Sequence, residues 1–146
     1  MTLSSRMTAE EVVRLLGLIR HPEGGYFRET YRHAPAGGER GAMTAIYFLL
    51  PKGERSAWHR VDADEMWHHY AGAALRLDIA IDGKPTESVR LGPDLAAGQR
   101  PQALVPAHAW QAAESEGDWT LVGCTVTPAF AFEGFEMAPP GWSPPR

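Results

Sequence analysis

The chain has 146 residues, 44% of them hydrophobic and 22% charged, which suits one soluble globular domain with a substantial core. Its net charge of −4 supplies no basic field for a nucleic-acid polymer or an anionic membrane. Its longest apolar runs, such as Ala45–Leu50, are too short to span a bilayer, and no signal-peptide pattern opens it. The lone Cys124 cannot form an internal disulfide, which fits a reducing cytoplasm, and its apolar setting, LVGCTV, reads as core.

Met1–Arg6 carries no pattern and is expected to be mobile. A helix is predicted over Thr8–Leu16. Thr8 and Glu11 have capping-box spacing, Met7 and Val12 have staple spacing, and Gly17 supplies the stop. From there the pattern is β. Gly25–Tyr31 alternates, and Thr44–Leu50 is a continuous apolar run, as in a strand covered on both faces. Leu75, Leu77, Ile79 and Ile81 alternate and then meet Asp82–Gly83, a two-residue hairpin signal. Val89–Leu91, Gln102–Val105, Trp110–Ala113, Trp119–Val126 and Phe132–Met137 are further short strands. Pro and Gly punctuate them at the spacing of an all-β sandwich or barrel. The Pro-rich tail 138–146 is expected to run over the surface, leaving a core of about residues 8–137 and no linker to divide it.

The segment GERSAWHRVDADEMWHHYAG gathers His59, Glu65, His68 and His69 within a few residues. Imidazoles and carboxylates bind metals or move protons near neutral pH, so this is either a reactive site or a polar strand pair. Burying His and Glu together without partners costs several kcal/mol, which argues for a wet pocket. If His59 and Glu65 point inward, alternation brings Trp67 and His69 inward too and turns His68 out; a bulge would exchange the two histidines. His59 then serves as general acid or base, with Glu65 orienting it or acting as its partner. Trp67, and Trp58 or Trp110, offer flat surfaces for a ring. Upstream, Gly24–Gly25 permits a tight turn, and Tyr26, Arg28 and Thr30 share one strand face. Arg28 either holds a phosphate or carboxylate bidentately or makes an ordinary salt bridge on a dimer-pairing strand. Asp62, Asp64, Glu114, Glu116 and Asp118 read as solvated surface.

The spacing Gly53, His59, Val61, Glu65, Gly72 resembles the first motif of the cupin superfamily, with Val61 where a second histidine is usual. An altered second motif runs from Gly98 through Pro106. There His108 takes the place of a glycine, and Gln111 that of the last metal-binding histidine. HPEGGYFRETYR, TAIYFLL, HRVDADEMWHHYAG, PQALVPAHAWQAA and LVGCTVTPAF with FEGFEM look like one branch, cupin type five. The resemblance implies an all-β double-stranded β-helix (a jelly roll) with one short N-terminal helix, usually dimeric, with a pocket in the barrel. It does not imply a reaction.

On the same resemblance any metal would fall to His59, Glu65 and Gln111. With two of four usual ligands replaced, a divalent metal is allowed but not favoured. Gln111 is then a hydrogen-bonding group for a ligand. The strand after Gly24–Gly25 also looks like one in the metal-free cupin epimerases of deoxysugar nucleotides. The expectation is a homodimer that binds a small polar metabolite in its barrel through Tyr26, Arg28, Trp67, His69 and Gln111. Its chemistry would be metal-free isomerisation or epimerisation of a carbohydrate or nucleotide-sugar by His59 and Glu65. The alternatives are a metal-dependent cupin enzyme and a non-catalytic binding module.

Overall fold

A computed structural model describes residues 6–145. The predicted mobility of Met1–Arg6 therefore falls almost wholly outside the described residues. Helix α1 spans Ala9–Leu16. Thr8 caps it by accepting from the Glu11 amide while the Glu11 carboxylate accepts from Thr8, and Gly17 closes it in the left-handed region at φ 66°. These contacts satisfy orphan donors and acceptors at both ends, which lets so short a helix hold. Its buried face packs Val12 with Leu18, Leu49 and Trp119, and Met7 lies against the same group.

Eleven strands follow: β1 (Ile19–Arg20), β2 (Tyr26–Arg32), β3 (Thr44–Pro51), β4 (Arg55–Val61), β5 (Asp64–Gly72), β6 (Leu75–Ala80), β7 (Glu87–Leu91), β8 (Gln102–Val105), β9 (Trp110–Ser115), β10 (Trp119–Thr127) and β11 (Phe135–Met137). They form two antiparallel sheets, ordered β1-β2-β3-β10-β5-β8 and β11-β4-β9-β6-β7. This is the jelly roll. The main core lies between the sheets, built on Phe48, Leu50, Trp67, Leu75, Leu77 and Val122, each at most 1% exposed. At one end a second cluster, Val61, Ala63 and Val126, is packed by Phe130 and Phe135.

Three local features depart from the simple patterns. The turn at Asp82–Gly83 exists, closed by Lys84 N–H to Ile81 O, but the hairpin is longer than two residues because Ile79 already pairs with Glu87. The expected strand Phe132–Met137 begins with a single 3-10 turn, Phe132–Gly134, and only Phe135–Met137 pairs. A bulge in β2 shifts the register between Glu29 and Tyr31, so Tyr31 passes to the outer face and Arg32, paired with Thr44, to the inner. No described helix is long and apolar enough to cross a membrane.

The tail beyond β11 does run over the surface. Trp142 lies between Trp110 (ring centroids 4.6 Å apart) and Trp58 (6.1 Å), with Arg60 over Trp110 and Arg55 over Trp58.

Candidate functional site

The turn between β1 and β2 begins the site. In His21-Pro22-Glu23-Gly24-Gly25 the backbone closes by His21 N–H to Gly25 O and Gly24 N–H to His21 O. Both glycines have positive φ, and a Cβ on Gly24 would collide with the Arg55 carbonyl of β4. Ala57 N–H then donates to Glu23 O at 2.8 Å, pinning the turn against β4. That close approach drives the Glu23 side chain in among His21, Ser56 and His59.

The surrounding hydrogen bonds fix where protons reside. His59 Nδ1 lies 2.7 Å from Ala57 O, a pure acceptor, so Nδ1 carries the hydrogen and Nε2 keeps a lone pair. His21 Nδ1 accepts from the Glu23 amide at 3.1 Å, so its hydrogen is on Nε2. Glu23 Oε2 accepts from the Ser56 hydroxyl, and Oε1 lies 3.5 Å from His59 Nε2 and 3.4 Å from His21 Nδ1. Burial pushes the Glu23 carboxyl up to about 8, so it is protonated at neutrality. Burial, aided by the neighbouring His59, pulls His21 down to about 4. His59 is also lowered by burial, against the opposing pull of Glu65. The protonated Glu23 carboxyl and the Nε2 lone pair of His59 therefore face each other across 3.5 Å, longer than a formed hydrogen bond.

Glu65 is held differently. Trp67 Nε1–H donates to Gln111 Oε1 at 2.9 Å, which leaves the Gln111 amide nitrogen to donate to Glu65 Oε1 at 2.8 Å. The chain Trp67–Gln111–Glu65 runs from β5 across to β9 of the other sheet and back to β5, and Gln111 stands opposite His59 in the β4–β9 pairing. Burial, with His59 opposing and Glu23 adding to it, raises Glu65 to about 6, and Gln111 and Cys124 offset part of the rise, so it is mostly a carboxylate at pH 7. Two carboxyls in one buried cluster therefore differ in protonation because their partners differ. That is the arrangement by which acid and base roles are separated.

Of these groups His21, Glu23, His59 and Glu65 line a cavity of about 60 Å³, with Ser56 and Gln111 behind Glu23 and Glu65. Phe27, Ile46, Val61, Val126, Phe130 and Phe135 form its apolar walls. Glu29, Arg32 and the 58% exposed Phe132 stand at its outer edge. The space amounts to roughly four water-sized positions, well below the roughly 300 Å³ at which drug-sized ligand pockets begin.

Of the residues singled out from sequence, His59, Glu65 and Gln111 come together here. Trp67 is 1% exposed between the sheets and reaches the site only through Gln111, so it presents no face to a ligand in the cavity. His69 keeps the inward register of Glu65 and Trp67 but lies farther along β5, its Nε2 3.0 Å from Ala73 O, outside the cavity lining. His68 is on the outer face, bonded to Thr125 and stacked with Tyr70. Tyr26 and Arg28 do not line the cavity. Tyr26 packs with the α1 cluster, and Arg28 donates to Leu16 O at 3.3 Å. Trp58 and Trp110 lie on the tail-covered outer face. Sequence reasoning missed His21, Glu23, Ser56 and Arg32. The available signal for the first two was a His and a Glu two apart before a Gly-Gly turn.

The donor set does not fit a metal cage. Among the described residues no three or more His, Cys, Asp or Glu side chains are grouped so as to hold an ion. Gln111 has its one ligating atom occupied by Trp67, and Val61 lines the cavity with no donor. No chemical step is therefore routed through a metal.

A jelly roll with a His/Glu pocket inside it defines the chain as a cupin. Residues 10–138 match the family Cupin_5, described as "Cupin superfamily (DUF985)", and the chain belongs to that family. It is similar to a solved protein from Shewanella oneidensis, with 40% identity over 90% of this chain and 85% of the other and a TM-score of 0.85. It is also similar to a hypothetical protein from Leishmania major, with 30% identity over 90% and 88% of the chains and a TM-score of 0.83. Oxalate decarboxylase of Bacillus subtilis shares the fold at 12% identity and a TM-score of 0.63, over 81% of this chain and 29% of that one. No curated protein matches the chain.

Proposed function

We propose that this cupin binds a small polar metabolite in the barrel cavity and moves a proton on it by metal-free acid/base chemistry. The observation that carries this reading is a pair of buried carboxyls with unlike partners beside His59 in one cavity: Glu65 accepts from the Gln111 amide, while Glu23 accepts from Ser56 and lies 3.5 Å from His59 Nε2. In the forward step Glu65 takes a proton from a carbon beside a carbonyl, and the Glu23–His59 pair gives its proton to the developing enolate oxygen. Delivery of the Glu65 proton to the neighbouring carbon, while the other enediol hydroxyl returns its proton to the Glu23–His59 pair, completes an isomerisation; reprotonation of the first carbon on its opposite face completes an epimerisation. The cavity admits only the reacting end of a sugar, so the rest of a carbohydrate or nucleotide-sugar would stay outside the rim.

The test is carbon-bound hydrogen exchange in D2O, followed by NMR, over a set of small α-hydroxy aldehydes and ketones. Glu65→Gln and His59→Ala should each slow exchange by roughly 10²- to 10⁴-fold, the usual worth of a positioned acid or base. Exchange unchanged by both substitutions sinks the reading. Ligand-induced melting shifts with no exchange would identify a binding module instead.

We also propose a homodimer. The outer face of the six-stranded sheet exposes Tyr31, Tyr70 and Leu104 at about half of their surfaces, an apolar group a second copy would cover. Sedimentation showing only monomer at micromolar concentration would contradict it.

A further inference from the structure

The rim of the cavity carries a device that the acid/base reading does not use. The β2 bulge turns Arg32 onto the inner face, three residues from Glu29, so both line the cavity. Arg32 is the sole Lys or Arg among the lining residues, and both edges of its guanidinium are engaged. Nε and Nη2 donate to the two Glu29 oxygens at 2.8 and 2.9 Å, and Nη1 donates to Phe130 O at 2.9 Å. An anionic ligand therefore meets an ion pair already closed at the rim, the Glu65 carboxylate inside, and no free Lys or Arg among the described lining residues. An anion desolvated between phenyl walls without a partner is strongly disfavoured.

We propose that the Glu29–Arg32 pair is a charge filter that makes the cavity a site for an uncharged hydroxy-carbonyl ligand and refuses the matching carboxylate. This rests on the reading of the cavity as a ligand pocket, and it names the ligand's charge class. Glu29 is the specificity residue because it masks a guanidinium otherwise well shaped for a carboxylate. Arg32 stays in place without it, since Phe130 O still holds Nη1.

The experiment compares hydroxyacetone with lactate, similar in size, by calorimetry and melting shift. It uses the full chain, Glu29→Gln, and the double variant Glu29→Gln/Arg32→Gln. The native chain should favour hydroxyacetone over lactate by at least about tenfold, the scale of one charge-assisted contact. Glu29→Gln should gain roughly ten- to hundredfold in lactate affinity, and the double variant should lose that gain. Lactate bound by the native chain as tightly as hydroxyacetone overturns the filter, and this comparison needs no variant. A folded Glu29→Gln chain with no gain for lactate overturns it too. Because the readout is binding, the D2O exchange test can fail while the filter stands, and the reverse.

Discussion

Replacing Glu23 with Gln isolates the cost of burying an ionisable group in the site. The folded chain holds the Glu23 proton with a pKa of about 8, against an ordinary value of 4.5. A raised carboxyl pKa means that the native state binds the proton more tightly than the unfolded chain does. The stability linked to this group is therefore complete below about pH 4.5 and is lost as pH rises towards 8. Over that window the loss reaches roughly 5 kcal/mol, at about 1.4 kcal/mol per pH unit, a large share of a typical domain's stability. Gln keeps the shape and an acceptor for Ser56 but cannot ionise. Urea unfolding of both proteins from pH 4.5 to 8.5 should show Glu23→Gln near neutral or about 1 kcal/mol worse at the acid end, and several kcal/mol better at pH 8.5. His21 and His59 act in the opposite sense: their depressed pKa values remove stability as pH falls below about 6.5, His21's through about 4. Both touch Glu23, so the substitution also moves them; the comparison is therefore read above about pH 6.5, where both histidines are neutral. A stability difference that stays flat across the pH range would refute a protonated Glu23.

Trp67→Phe should leave the core filled but remove the donor that orients Gln111. Expected are a loss of about 1–3 kcal/mol and a rise in the Glu65 transition from about 6, read from carboxyl carbon shifts by NMR. His108 is the one described non-glycine residue at positive φ (70°), in the turn that Ala109 N–H closes on Pro106 O. His108→Gly should therefore raise stability by about 0.5–1 kcal/mol, and a clear loss would show that the His side chain contributes something there. Burial raises the Cys124 thiol well above its usual range. Native protein should resist iodoacetamide, with mass spectrometry showing labelling only after denaturation.

The helix and most strands were legible because caps and periodicity are local properties of the chain. The His59–Glu65 pairing was legible because alternation puts both on one face once either is turned inward. On β2 that logic had no anchor. Tyr26 and Arg28 on one face and Phe27 and Glu29 on the other are equally plausible inner faces by composition, since each couples an aromatic with a charge. The extra residue at the β2 bulge then hid Arg32, because a parity change leaves no mark in composition. Glu23 was hidden for another reason. It sits in a turn, where there is no period to read, and its burial follows from a glycine that lets one backbone press on another. Trp67 and Gln111 show a third case: their residue types suited ligand contact, but each is the other's partner.

The site draws His21 and Glu23 from before β2, His59 from β4, Glu65 from β5 and Gln111 from β9, across both sheets. No single hairpin or consecutive fragment contains it. The buried Glu23–His59 pair therefore has no counterpart until the two sheets have closed and the first turn has docked on β4. Pulsed hydrogen exchange during refolding should find the Ala57 amide, which donates to Glu23 O, protected only in the last step. The buried polar cluster of this barrel would then be the last thing its folding makes.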